Sequence, residues 1–190
     1  MILLLDNFDS YTYNLLHAIG QFGVACDVVR NDKPLSYFEN LDFEGVVLSP
    51  GPEVPSRAGC LMPFIEKYAP DRPMLGVCLG HQAIGQYVGL QLVKAPQPRH
   101  GKLATIEVDQ SSQLFTGLPE KFDVVQYNSL IVEGENPLIN VTARTLDGQI
   151  MALEHRELPL AGVQFHPEAA LSQYGSEIIK NWLMQHGLIN

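Results

Sequence analysis

The chain has 190 residues and a net charge of −9, with 21 Asp and Glu against 12 Lys and Arg. A composition 46% hydrophobic and 17% charged excludes a disordered chain, and the length suits one α/β domain spanning 1–190. The acidity and the lack of a Lys/Arg cluster argue against a nucleic-acid partner.

Ile2 to Asp6 reads as an apolar strand. Ser10 is a candidate N-cap for a helix carrying Tyr11, Leu15, Ile19 and Phe22 at helical spacing, closed by Gly23. Strands are predicted at Ala25 to Arg30 and Gly45 to Leu48, the latter running into Ser49-Pro50-Gly51-Pro52. Ser56 is placed to cap a helix with Leu61, Ile65 and Tyr68 on one face. A strand at Met74 to Val77 and a helix from His81, ended by Gly89, complete an alternation that implies a parallel sheet with helices on both faces.

From Leu90 the texture changes to short alternating strands: Leu90 to Lys94, Leu103 to Val108, Val124 to Tyr127, Asn140 to Thr145 and Ile150 to Glu154. Asp147-Gly148 reads as the hairpin turn between the last two. A strand at Leu160 to Phe165 and a helix from about Ser172 to Gln185, burying Ile178, Ile179, Trp182 and Leu183, end the chain. The expected architecture is three-layered α/β, flavodoxin-like or Rossmann-like, with a smaller antiparallel strand set in the second half. Met1 to Leu5 is too short for a signal peptide or membrane span. Cys26, Cys60 and Cys78 show no metal or disulfide spacing, so the expectation is a cytoplasmic protein without a metal site or membrane partner.

One segment concentrates the chemistry. In Gly76-Val77-Cys78-Leu79-Gly80 a cysteine sits between two glycines where a strand meets a helix, the pattern of a nucleophile elbow. The following helix N-terminus favours thiolate, the attacking form. A base is available in Gln164-Phe165-His166-Pro167-Glu168: Pro167 biases His166 towards extended backbone, and residues two apart then point to the same side. Glu168 can fix the His166 tautomer and leave the other nitrogen for a thiol. Taken singly, each motif more often marks a structural cysteine or an unpaired histidine at a strand end. Together they point to a Cys78–His166–Glu168 triad.

GVCLGHQ, then GVQFHPE, with LSPGP upstream, resemble the triad-type (class I) glutamine amidotransferases. DNFDSYTYN near the start, RHGK at Arg99 to Lys102 and YNSL at Tyr127 to Leu130 are similar to the glutaminase subunits of chorismate-aminating synthases. These are anthranilate synthase component II and the amidotransferase component of para-aminobenzoate (aminodeoxychorismate) synthase. The resemblance implies that Cys78 attacks glutamine, His166 moves the proton and Glu168 orients His166. It implies an oxyanion hole from the backbone N–H groups of Gly51 and Leu79. It also implies glutamine binding by Gln82, Ser129 and Leu130, with Pro50, Gly51, Pro52 and Leu79 lining the site. No cofactor is implied in this chain. The partner that the resemblance implies is a chorismate-binding, magnesium-dependent synthase subunit (component I). A catalytically silent subunit of the same fold and a cysteine hydrolase acting on another amide are the alternatives. Three positions depart from the family pattern: Asn128 where histidine is usual, Glu53 where a glycine often follows SPGP, and Ala169 where serine often follows HPE. His81 is expected to be structural, His17 ordinary, and His100 part of a loop contact.

Overall fold

The computed structural model describes residues 1–190. Four helices alternate with four strands in the order β1 (Ile2–Asp6), α1 (Thr12–Gly20), β2 (Cys26–Arg30), α2 (Leu35–Phe38), β3 (Gly45–Leu48), α3 (Leu61–Tyr68), β4 (Met74–Val77) and α4 (Leu79–Tyr87). Strands then dominate: β5 (Gln91–Lys94), β6 (Lys102–Val108), β7 (Lys121–Gln126), β8 (Leu130–Glu133), β9 (Ile139–Thr145), β10 (Ile150–His155) and β11 (Leu160–Val163), before α5 (Gly175–Gln185).

Nine strands form one sheet in the order β2-β1-β3-β4-β11-β10-β9-β6-β7, and β5 pairs with β8 in a separate ribbon. The first five strands are parallel, with Ile2 opposite Gly45, Val46 opposite Met74 and Gly76 opposite Gly162. Strands β1, β3, β4 and β11 are buried throughout, as strands covered on both faces must be. Their side chains alternate between two cores. Ile2, Leu4, Val47, Leu75 and Val77 pack with Leu15 and Ile19 of α1 and Ile178, Ile179, Trp182 and Leu183 of α5. Leu3, Leu5, Val46, Leu48 and Met74 pack with Leu61, Phe64 and Ile65 of α3 and Ala83 and Ile84 of α4. The period of two thus divides one apolar run between two helix layers. No helix is long and apolar enough to cross a membrane.

The expected three-layer α/β class is the fold observed. Most of the antiparallel set does not stand apart, however, because β10 pairs antiparallel with β11 and so continues the main sheet. The hairpin at Asp147-Gly148 joins β9 to β10, with Gly148 at φ +91° and its N–H donating to Thr145 O.

Two predicted caps are corrected. Ser10 does not cap α1: the Asp9 carboxylate accepts from the Tyr11 N–H at 2.7 Å, and Asp6 accepts from the Thr12 hydroxyl at 2.7 Å. These carboxylates outcompete a serine hydroxyl as acceptors. Ser56 lies in a separate 3-10 turn, Pro55–Arg57, and α3 begins only at Leu61. Gly59, at φ +53°, brings the chain against Asn31, where an added Cβ would lie 2.3 Å from the carbonyl oxygen. That contact delays the helix. Helix α4 begins two residues before His81, and α2 and β8, at four residues each, are too short to show a periodicity in the sequence.

Candidate active site

Strand β4 delivers Cys78 to a sharp turn, where it takes φ +51° and ψ −98°, a conformation that costs a non-glycine residue about 1–3 kcal/mol. The backbone is pinned on both sides: Cys78 N–H donates to Val163 O at 2.9 Å, and Cys78 O accepts from Gln82 N–H at 3.0 Å. The flanking glycines serve close packing rather than unusual torsions. A Cβ on Gly76 would sit 2.4 Å from the Gly80 carbonyl carbon, and one on Gly80 would sit 2.4 Å from Leu48 O. The elbow therefore presses α4 directly against β3 and β4. The sulfur stands at the N-terminus of α4, where unpaired N–H groups favour negative charge.

The segment after β11 brings the second component. His166 N–H donates to Val125 O at 3.0 Å, anchoring the loop to β7. His166 Nδ1 and Glu168 Oε1 are 2.6 Å apart, with both side chains almost wholly removed from solvent. The Ser172 hydroxyl donates to His166 O at 2.5 Å, and Gly175, opening α5, packs against Pro167. The imidazole is bracketed by the rings of Tyr127 and Tyr11, with centroids at 5.0 and 5.8 Å and near-perpendicular planes. Burial works against a charged imidazole here. The Cys78 thiol and the Glu168 carboxylate overcome it and raise the His166 pKa well above its ordinary value. Nε2 makes no well-formed hydrogen bond within the protein, so it is free to exchange a proton with a reacting group near the thiol. Asp9 also lies within electrostatic reach, its pKa raised chiefly by burial.

Cys78 opens into a cavity of about 190 Å³ lined by Gly51, Pro52, Glu53, Gln82, Tyr127, Asn128, Ser129 and Leu130. Larger depressions exist, such as one of about 340 Å³ beside Phe8, Asp32 and Arg57, but that one holds no nucleophile. Chemistry rather than size marks the site. Gly51 N–H donates to no group of the protein, and Leu79, as first residue of α4, has no intrahelical partner for its N–H. The two residues touch: a Cβ on Gly51 would lie 2.8 Å from Leu79 Cδ2 and 2.7 Å from Asn7 O. A buried thiol, an oriented imidazole and free backbone donors around one small cavity can perform acyl transfer from an amide.

The glutamine amidotransferase class-I family model matches residues 3–186. The chain belongs to this family. An anthranilate synthase component 2 from Azospirillum brasilense is 48% identical over 188 residues, covering 96% of this chain and 95% of that protein. An aminodeoxychorismate/anthranilate synthase component 2 from Bacillus subtilis is 41% identical over 186 residues, with 96% and 95% coverage. A crystal structure from Thermoplasma acidophilum, ascribed to a GMP synthase, superposes with a TM-score of 0.87 at 27% identity, covering 98% of this chain and 94% of that one.

Within this class-I amidotransferase fold, Cys78, His166 and Glu168 stand together, and Gly51, Pro52, Gln82, Ser129 and Leu130 line one cavity. Pro50 is buried behind that lining, with its carbonyl accepting from the Ser49 hydroxyl, and does not face the cavity. Gln82 is buried and hydrogen-bonded, not a solvated helix residue. His81 is fully buried against Gly162, and burial lowers its pKa to about 4. His17 and His100 are exposed. No group of three or more His, Cys, Asp or Glu side chains is placed to hold a metal ion. Sequence reasoning missed Tyr11 and Tyr127 beside His166, and Gln164 beside the sulfur. The Gln164 signal was present, because Gln164 and His166 are two apart on extended chain and share a side. No sequence rule announces the tyrosines, whose rings meet at 5.4 Å where the residue before α1 reaches the residue after β7.

Proposed function

We propose that this chain is the glutaminase subunit of a chorismate-aminating synthase, passing ammonia to a separate chorismate-binding subunit that makes anthranilate or 4-amino-4-deoxychorismate. The observation that carries this reading is the strained Cys78 elbow beside the His166–Glu168 pair over a cavity small enough for one amino acid. The activities for which the component 2 relatives are named support the same reading.

Cys78 Sγ attacks the side-chain carbonyl carbon of glutamine, and its proton passes to His166. His166 gives that proton to the departing nitrogen as the C–N bond breaks, leaving a γ-glutamyl thioester and ammonia. Water then attacks the thioester while His166 takes its proton. The C–S bond breaks, glutamate leaves, and the thiol regains the proton from His166. Glu168 holds the ring and balances the imidazolium. The backbone N–H groups of Gly51 and Leu79 receive the developing oxyanion, each donor contributing roughly 3 kcal/mol to lowering the barrier. Gln82, Ser129 and Leu130 hold the amino-acid end. No step calls for a cofactor in this chain, and any magnesium requirement belongs to the partner. A cytoplasmic location fits three cysteines that are free thiols.

The test mixes the chain with each candidate synthase subunit, chorismate, and either glutamine or ammonium. Cys78→Ser is expected to abolish glutamine-dependent formation of the amino-aromatic product while ammonium-dependent formation continues. Survival of the glutamine-dependent reaction would overturn the assignment of the nucleophile. The retention time of the product distinguishes anthranilate from aminodeoxychorismate.

A further inference from the structure

Gln164 is fully buried on the strand end that leads to His166. Its Nε2 donates to Cys78 Sγ at 3.6 Å. Its Oε1 accepts from Gln82 Nε2 at 3.2 Å, and that same nitrogen donates to the Leu130 carbonyl at 3.0 Å. The direction of these bonds is forced from one end. A backbone carbonyl only accepts, so Leu130 turns the Gln82 amide nitrogen towards itself. That nitrogen then requires an acceptor from Gln164, which turns the Gln164 oxygen away from Cys78. The NH₂ group of Gln164 is what remains to face the sulfur. Asn128 Nδ2 also donates to Leu130 O, at 3.0 Å, and holds the carbonyl in place.

We propose that Gln164 is a positioning residue that donates a hydrogen bond to the Cys78 thiolate and, through Gln82 and Leu130, ties the nucleophile to occupation of the glutamine cavity. The inference rests on the reading of Cys78 as the glutaminase nucleophile. A hydrogen bond donated to the ionised form favours that form, and a fixed donor on one side of the sulfur aims its remaining lone pairs at the cavity. Gln82 and Leu130 both line that cavity, so a bound amino acid presses on the first link of the relay. His166 moves the proton and Gln164 does not. Its part is to hold the sulfur anionic and aimed.

Two variants separate donor from relay. Gln164→Met removes both hydrogen bonds at similar length, whereas Gln164→Glu keeps an acceptor for Gln82 but loses the donor to sulfur. In both, alkylation of Cys78 by iodoacetamide at neutral pH, followed by mass on the Cys78 peptide, is expected to slow roughly tenfold, and its pH profile to move upward by about one unit. Glutaminase kcat is expected to fall by a similar factor. KM for glutamine is expected to rise in Gln164→Met, where Gln82 is loosened, and to hold in Gln164→Glu. Alkylation profiles superimposable on wild type, in either variant that folds, overturn the proposal. A second readout needs no substitution: the Gln164 side-chain NH₂ resonance of the wild-type chain must shift with pH as the thiol titrates, and a stationary resonance overturns the proposal equally. The two levels separate cleanly. A Cys78→Ser chain that keeps glutaminase activity defeats the underlying reading, whereas unchanged Gln164 variants beside an inactive Cys78→Ser defeat the relay alone.

Discussion

Cys78 is held in a conformation that its own side chain opposes. The φ of +51° is imposed by two backbone hydrogen bonds, one to β11 and one into α4, so the strain belongs to the position and not to the thiol. A direct consequence concerns alanine and glycine at this site. Both remove the sulfur, but only alanine retains the Cβ that clashes at positive φ. Cys78→Gly is expected to be more stable than Cys78→Ala by about 1–2 kcal/mol, reversing the order seen in ordinary helix and strand interiors. Urea unfolding midpoints of the two inactive variants check this. A more stable alanine variant would mean that the elbow stores no strain. Glu53, which lines the cavity, also carries a positive φ, so the loop after β3 shares this cost of shaping the site.

At the scale of elements, α5 is more than a cover for the sheet. Its first residue, Gly175, packs so closely on the loop after β11 that an added Cβ would fall 1.8 Å from Pro167 O. Gly175→Ala must therefore displace the segment carrying His166 and Glu168, or the start of the helix. A displacement near 1 Å costs roughly a hundredfold in a positioned reaction, so kcat is expected to fall by about that factor while α5 still covers the core. Paired glutaminase assays and far-UV spectra distinguish this from unfolding. This dependence is not legible in the sequence, where Ser172 reads as the start of the helix. Ser172 instead serves the His166 loop with its hydroxyl, and α5 starts three residues later. The same division holds elsewhere. Strands β1, β3 and β4 are readable because continuous apolar runs and terminal turns are local signals. The triad is readable because the elbow and the His-x-Glu spacing are local as well. Ser56, β8 and the two tyrosines around His166 are decided by partners distant in sequence, against which local propensity is weak.

For the whole molecule, the site sits on the seam where the sheet changes character. Strand β11 is parallel to β4 on one side and antiparallel to β10 on the other, so the cysteine and histidine arrive on neighbouring parallel strands. The wall with Tyr127 and Ser129 comes from the antiparallel half. Two buried histidines flank that seam and respond to pH in opposite senses. The folded-state pKa of His166 is raised, so its contribution to stability is complete below about 6.5 and fades as pH rises through the raised value. His81 is depressed to about 4 because burial disfavours its charge. Its contribution is complete above about 6.5 and is lost as pH falls towards 4, when the unfolded chain binds a proton that the folded chain refuses. A depression of that size corresponds to roughly 3 kcal/mol over the window. The ring nitrogens of His81 make no well-formed hydrogen bond, so His81→Leu leaves few polar groups without partners. The variant is expected to lose the most stability above pH 6.5 and to show a flatter decline between pH 6.5 and 4. Urea midpoints measured across that range give the slope directly, and parallel curves for the two proteins would show that acid sensitivity arises elsewhere than at the α4–β11 packing.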